Sequence, residues 1–345
     1  MRRLGGRAVV VLIFSLSGTA AARPAPDPLT ASATPPSESS TAVPATRSEY
    51  TPHDGEAPGK PAVSKPPPYS IPFQLRPVVT ATVIRSDNSI AAYENKQGVG
   101  GLTIVNGLTG AYKFSPNFGA LVRLTTSQDS PPVGNGGFIF ANPVVGGQYA
   151  LKAGDFRFAA YLLLTVPVGG GGGDAPSPGA ADARAAGPFA RMAMENAIFA
   201  VNDFTVFPGI DFAYVAHGLT VQAEATFFQL QRVRGEAKQR EASKTNLTAG
   251  LHIGYFLAPF VSVGADLRYQ RWLNPPFGGP KQGDITASDP RIDSLSFGVG
   301  PRFHFLLGNS IWLRPGIAYS RGLDKPLAAS TPNYHVVQID VPVLF

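Results

Sequence analysis

From Ile71 onward, apolar and polar residues alternate with a period of two almost throughout, the pattern of strands that place each face in a different environment. The final segment, HVVQIDVPVLF, is the clearest: Val337, Ile339, Val341, Val343 and Phe345 share one face, opposite Gln338, Asp340 and Pro342. Two segments before it, DSLSFGVGPRFHF sets Leu295, Phe297, Val299, Phe303 and Phe305 against Ser296, Gly298, Gly300, Arg302 and His304. The same template predicts twelve strands, near 72–85, 99–114, 118–126, 138–151, 155–168, 204–215, 219–231, 246–257, 261–272, 294–306, 310–320 and 335–345. Most are long enough to cross a bilayer as tilted strands, which takes about 9–11 residues.

The connections decide the architecture. Those after the second, fourth, sixth, eighth and tenth strands are tight (SPN, KAG, AHG, APF, LGN), and the others are long, polar or rich in Gly and Pro. That alternation predicts an all-β, up-and-down antiparallel transmembrane barrel, with short periplasmic turns, longer outside loops and both chain ends in the periplasm. Aromatic residues collect at the tight-turn end (Phe114, Phe118, Tyr149, Phe156, Phe256, Phe260, Phe305 and Phe345), the place of an interfacial girdle. Gln229 breaks the alternation of the seventh strand and predicts a bulge there. The Gly-rich second strand is weakly patterned, so the count lies between ten and twelve.

Composition adds what precedes the strands. Arg2, Arg3 and Arg7, the apolar run AVVVLIFSLSG, and Ala20 and Ala22 before a cleavage point predict a signal peptide over 1–22. The run is about half the ~20 residues a spanning helix needs. Residues 23–70, rich in Pro, Ala, Ser and Thr, predict a disordered periplasmic tail available for an envelope contact. The barrel then occupies 71–345. With no cysteine, an exported chain has no disulfide framework and no lipid attachment at the cleavage site. The formal charge of +6 includes the three leader arginines, and the remaining excess is too slight to argue for nucleic acid.

The terminal Phe345, closing a strand apolar at every second position back to Val337, resembles the last strand of bacterial outer-membrane β-barrel proteins, the porin-like class. The resemblance is close over that strand and architectural over the rest. It implies outer-membrane lipid as surroundings. It also implies recognition of Val337, Ile339, Val341, Val343 and Phe345 by the barrel-assembly machinery.

If the apolar face meets lipid, the other lines a lumen, because a basic residue facing lipid at the midplane costs about 2–4 kcal/mol. Arg76, Arg123, Arg157, Arg268, Arg302 and Arg314 then point inward, with Asp211, Glu224, Asp266, Asp340, His252 and His304. Two functions fit. One is a pore for passive passage of small polar solutes, with an arginine track favouring anions. The other is a structural or adhesive barrel whose arginines pair with carboxylates and fill the lumen. Inward Gly254, Gly264, Gly298, Gly300 and Gly316 leave room. Between the fifth and sixth strands, 169–187 reads as a flexible loop, and PFARMAMENAIFAVND as a helix starting near Pro188. Its Phe189, Met192, Asn196 and Phe199 form a constriction at the mouth or, equally, an exposed outer helix.

Enzyme readings rank lower. His252 and His304 have no nucleophile two residues away, as a barrel phospholipase needs, and no Asp-His dipeptide matches an omptin-like protease. His217 in a turn, His335 at a strand start and His53 in the tail carry no chemistry. No spacing supports a metal site, and no cofactor is implied. A lipid-modifying enzyme remains a minor alternative, as does an autotransporter translocator, for which the tail is short and proline-rich.

Overall fold

A computed structural model describes residues 69–95, 97–235, 242–273, 293–323 and 334–345. Twelve antiparallel strands close into a barrel. They are β1 (Val83–Glu94), β2 (Gly100–Lys113), β3 (Phe118–Ser130), β4 (Gly137–Phe140 and Val144–Ala153), β5 (Phe156–Thr165) and β6 (Asp203–Ala216). There follow β7 (Leu219–Arg232), β8 (Ser243–Ala258), β9 (Val261–Trp272), β10 (Asp293–Phe303 and Phe305–Leu307), β11 (Ile311–Leu313 and Gly316–Gly322) and β12 (His335–Leu344). Each strand pairs with its chain neighbours, and β1 pairs with β12 from Val83↔Leu344 to Ala92↔His335. Closure satisfies the ladder without water, as hydrocarbon requires.

The radial order is the reverse of a soluble protein's. Ile84, Leu108, Leu162, Ile210, Ile253, Val299, Ile317 and Ile339 are exposed on the outside, while Thr103, Thr220, Gln222, Thr248, Ser296 and Gln338 are buried within. Outward rings cluster at the tight-turn end, where Phe114 stacks on Phe118 with centroids 6.3 Å apart and Tyr149 leans tilted on Phe118 at 4.7 Å. Phe256 leaves that girdle, since it stacks inward on His304 at 4.7 Å. At the β6–β7 turn, His217 and Gly218 both take positive φ (52° and 79°), as a two-residue hairpin turn of matching twist demands.

Three strand expectations are corrected. The first strand is at Val83–Glu94 rather than 72–85. Its outward face carries Ser86 and Asn88, which bond to each other at 3.0 Å and interrupt the apolar alternation there. The β1–β2 connection is therefore only 95–99, so long and short connections do not alternate strictly at this point. No bulge occurs at Gln229, where β7 keeps register with β6 and β8. Gln229 points outward and bonds Ser243 and Thr245 of β8. The irregularity lies instead at Val261/Ser262 of β9.

The segment between β5 and β6 forms helix α1 (Pro178–Ala190) and the single turn α2 (Asn196–Phe199). Helix thus begins ten residues earlier than the apolar spacing predicted. The stretch PGAADARAAG, read as a flexible loop, has Pro at the first helical position and alanine, the strongest helix former, along its length. Pro188 sits in the last turn instead of the first. Met192 and Ala193 then reverse the chain with φ of 52° and 58°.

Candidate functional site: a lumen occupied from both ends

Two segments lie inside the barrel. The first is 69–82, which enters beside the tight-turn end, rises to mid-barrel and returns to start β1. Tyr69, Ile71, Phe73, Leu75 and Val78 are all buried. Tyr69 and Ser70, expected in the tail, are part of it. Its main-chain N–H groups donate to wall oxygens: Ser70 to Thr220 Oγ1 (3.0 Å), Phe73 and Gln74 to Asp266 Oδ2 (2.9 and 3.0 Å), Arg76 to Glu224 Oε2 (2.6 Å). Its carbonyls accept from the wall, Tyr69 from Arg314 Nη2 (2.6 Å), Pro72 from Arg85 Nη2 (3.1 Å) and Gln74 from Arg268 Nη1 (3.0 Å). An extended segment without ladder partners thereby satisfies its buried backbone, as it must. Of the inward glycines read as free space, Gly254, Gly298 and Gly316 are its berth, together with Gly250, while Gly300 faces the backbone of Ile317 and Ala318. A Cβ on Gly250 would stand 2.9 Å from Leu75, one on Gly316 2.7 Å from Phe73, and one on Gly254 would collide with Ser70.

The second segment is the insertion with α1 and α2, which fills the long-loop half. Phe189, Met192, Ile198 and Phe199 join Tyr161, Leu163, Phe207, Phe228 and Tyr334 in one buried apolar cluster. Of the four residues expected to form a constriction helix, Phe189 ends α1, Met192 lies in the reversal, and Asn196 and Phe199 belong to α2. Asn196 bonds Gln270 of β9. Polar docking comes from a ring of alternating charges. Arg191 grips Asp87 with Nη1 and Nη2 (2.8 and 2.6 Å), Glu195 meets Arg123 at 2.5 Å, and Arg123 returns to Asp87 at 3.2 Å. Arg268 touches both segments, since Nη1 donates to Gln74 O and Nη2 to Met194 O (3.3 Å).

All the predicted inward residues do face the interior, but Arg76 does so from the inserted segment rather than from a wall strand. Asp340 holds Arg85 at 2.7 Å and Arg302 at 2.5 Å. Glu224 holds Arg76 (3.0 Å) and Arg268 (3.3 Å). The Arg157 side chain has no hydrogen bond or ion pair with a described residue, and its Nε is buried without a partner. Sequence reasoning missed Arg85, Asp87, Arg191 and Glu195. The first two fell at or beyond the end of the misplaced first strand, and the others were passed over in favour of the insertion's apolar spacing.

Two histidine pairs also escaped a search along the chain because they form across strands. His252 Nδ1 lies 2.6 Å from Asp266 Oδ1, and Ser262 Oγ lies 2.9 Å from His304 Nε2. Arg314 Nε donates to His304 Nδ1 at 2.8 Å, so the imidazole proton sits on Nε2 and points at the serine. A histidine in that tautomer has no lone pair with which to take the serine's proton. Asp266, for its part, is occupied by two backbone N–H groups of the inserted segment.

Between the two segments and the wall remains a cavity of about 350 Å³. It is bordered by Val79, Ala111, Leu121, Leu163, Ile198, Phe207 and Phe228, and by Arg76, Arg85, Arg123, Arg157, Arg191, Arg268 and Arg314. Asp87 and Glu195 are its only acidic neighbours among the described residues, so the cavity is apolar in area and cationic in charge.

No family model matches the chain, and no curated protein does. Solved structures similar to it are outer-membrane barrels. The KdgM porin is 10% identical over 76% of this chain and 99% of its own, with a TM-score of 0.42. The COG4313 outer membrane channel from Pseudomonas putida F1 is 15% identical over 79% and 98%, at 0.48. The translocator domain of autotransporter NalP from Neisseria meningitidis is 16% identical over 76% and 86%, at 0.38. At such scores they transfer neither residues nor activity. The closed sheet, the apolar outside and the polar, charged interior make this chain a twelve-stranded antiparallel β-barrel of the transmembrane type.

Proposed function

We propose that the protein is an outer-membrane channel for small polar solutes, anions preferred, whose lumen is closed in this state by residues 69–82 and by the insertion between β5 and β6. The observation that carries this reading is the charge of the internal cavity, bordered by seven arginines and two carboxylates. Such a lining attracts anions and repels cations at short range in a low-dielectric wall. The insertion is the gate, since it is docked by the Arg191–Asp87 and Glu195–Arg123 pairs rather than by strand pairing. The signal peptide over 1–22, periplasmic termini and assembly through the C-terminal strand complete the proposal, as does the absence of catalysis.

Planar-bilayer conductance of the refolded protein in a salt gradient tests it. Steps with an anion-selective reversal potential are expected, smaller in Arg268→Ala and larger or longer after deletion of 178–199. Silence from both the folded wild type and the deletion variant would leave the second reading, a structural barrel with a permanently filled lumen. The pairing of every lumen arginine named here except Arg157 favours that alternative.

A further inference from the structure

We infer that the cavity between the two inserted segments is a binding site for an amphipathic carboxylate, a single anionic head on an apolar body, with Arg157 as the group that takes the head. This names the solute class of the passage and to that extent rests on the channel reading.

The cavity has the size of a small-ligand pocket, whose range begins at about 300 Å³. Its arginines are not equivalent. Arg123 and Arg191 already share Asp87 and Glu195, Arg76 and Arg268 share Glu224, and Arg85 is held by Asp340. Arg157, on β5 one residue from the tight turn, lines the same cavity with no partner among the described residues and with its Nε buried. A buried donor left unmade costs about 1–3 kcal/mol, more for a charged group. Only Nε is in that condition, as it is in Arg123 and Arg268. What sets Arg157 apart is that the rest of its half-buried guanidinium has no side-chain partner either, which leaves its planar fork for a carboxylate and two parallel hydrogen bonds.

The rest of the wall determines what the carboxylate is attached to. Deeper than Arg157 the border includes Leu121, Leu163, Ile198 and the stacked pair Phe207–Phe228, centroids 5.2 Å apart. That surface offers little to a sugar's hydroxyls, which would lose water without compensation. An aliphatic or aromatic body gains by leaving water there. An inorganic anion would satisfy Arg157 and leave the apolar part of the cavity unused.

The test is equilibrium dialysis of 2-naphthoate against the folded protein, with the same detergent on both sides and folding verified by heat-modifiable migration. One saturable site is expected. Affinity should fall about tenfold in Arg157→Gln and by less in Arg157→Lys, which keeps the charge and loses the fork. Acetate and the neutral 2-naphthalenemethanol should each bind about tenfold or more weakly. Equal uptake by wild type and Arg157→Gln, or equal affinity for acetate and naphthoate, would overturn the proposal. Bilayer conductance on the same preparations separates the two ideas. Binding without current retains the site and removes the channel, whereas anion-selective current without saturable binding does the opposite.

Discussion

The two inserted segments solve the same problem with different chemistry. Residues 69–82 are held mainly by their main chain, with wall carboxylates collecting N–H groups and wall arginines collecting carbonyls, and the Arg76–Glu224 ion pair added. The insertion between β5 and β6 is held by its side chains, through the Arg191 and Glu195 ion pairs and the Phe189–Ile198–Phe199 cluster. A main-chain grip depends little on the guest's sequence and strongly on the wall's. A side-chain grip depends on both partners. The wall is therefore charged at two levels for two reasons, and counting its charges as one track merges them.

Changes to the wall should separate the two. Asp340→Ala strips Arg85 and Arg302 of their shared carboxylate and should have the largest effect, about 3–5 kcal/mol for an orphaned buried charge, read as a lower urea midpoint for unfolding. Arg191→Ala should cost on the order of 3 kcal/mol in docking of the insertion and raise its hydrogen exchange around 178–199, while amides at 70–76 stay protected. Should both regions open together, the segments are one unit linked through Arg268 and the contrast drawn here fails. Asp266→Ala takes the charged acceptor from the N–H groups of Phe73 and Gln74 and should cost about 1.5–3 kcal/mol in all. Chymotryptic cleavage after Phe73 in an otherwise intact barrel would report it. Gln229→Ala, on the outer surface away from both segments, should change stability by less than about 0.5 kcal/mol. A larger loss there would point to a role for its bonds to Ser243 and Thr245.

The same contrast explains what was legible in the sequence. Strand count, the positions of β2 to β12 and the inward set on those strands followed from period-two alternation, because a wall between lipid and a polar interior imposes it residue by residue. Segment 69–82 was mistaken for a strand because its own apolar residues, Ile71, Phe73 and Leu75, also alternate, though they pack on inward glycines instead of meeting lipid. Nothing local distinguishes the two, since the partners that satisfy its backbone lie on β1, β4, β7, β9, β10 and β11. True β1 was obscured by outward Ser86 and Asn88. In the insertion, apolar spacing located the correct neighbourhood but not the helix, which is set by alanine content and by Pro178. The ion pairs were invisible for a simpler reason. Asp87 and Arg191 are far apart in the chain, and no spacing rule joins them.

The position of segment 69–82 immediately before Val83 ties the making of the barrel to the filling of it. β1 is half of the seam, and the residue that ends the ladder, Phe345, donates its N–H to Thr82 O at 3.0 Å, the last carbonyl before that strand. Closing the first strand onto the last therefore anchors the base of the inserted loop in the same step, with its tip among Asp266, Glu224 and Arg268. The strands β7 and β9 that carry those three residues are far from the seam in the strand order, so the wall must have curved almost fully before the loop finds its bonds. Until it does, Asp266 has only His252 on the wall, and Glu224 and Arg268 have only each other and Thr248. The loop is then a closing signal as much as a stopper, stabilising the complete cylinder over every open-edged sheet that precedes it.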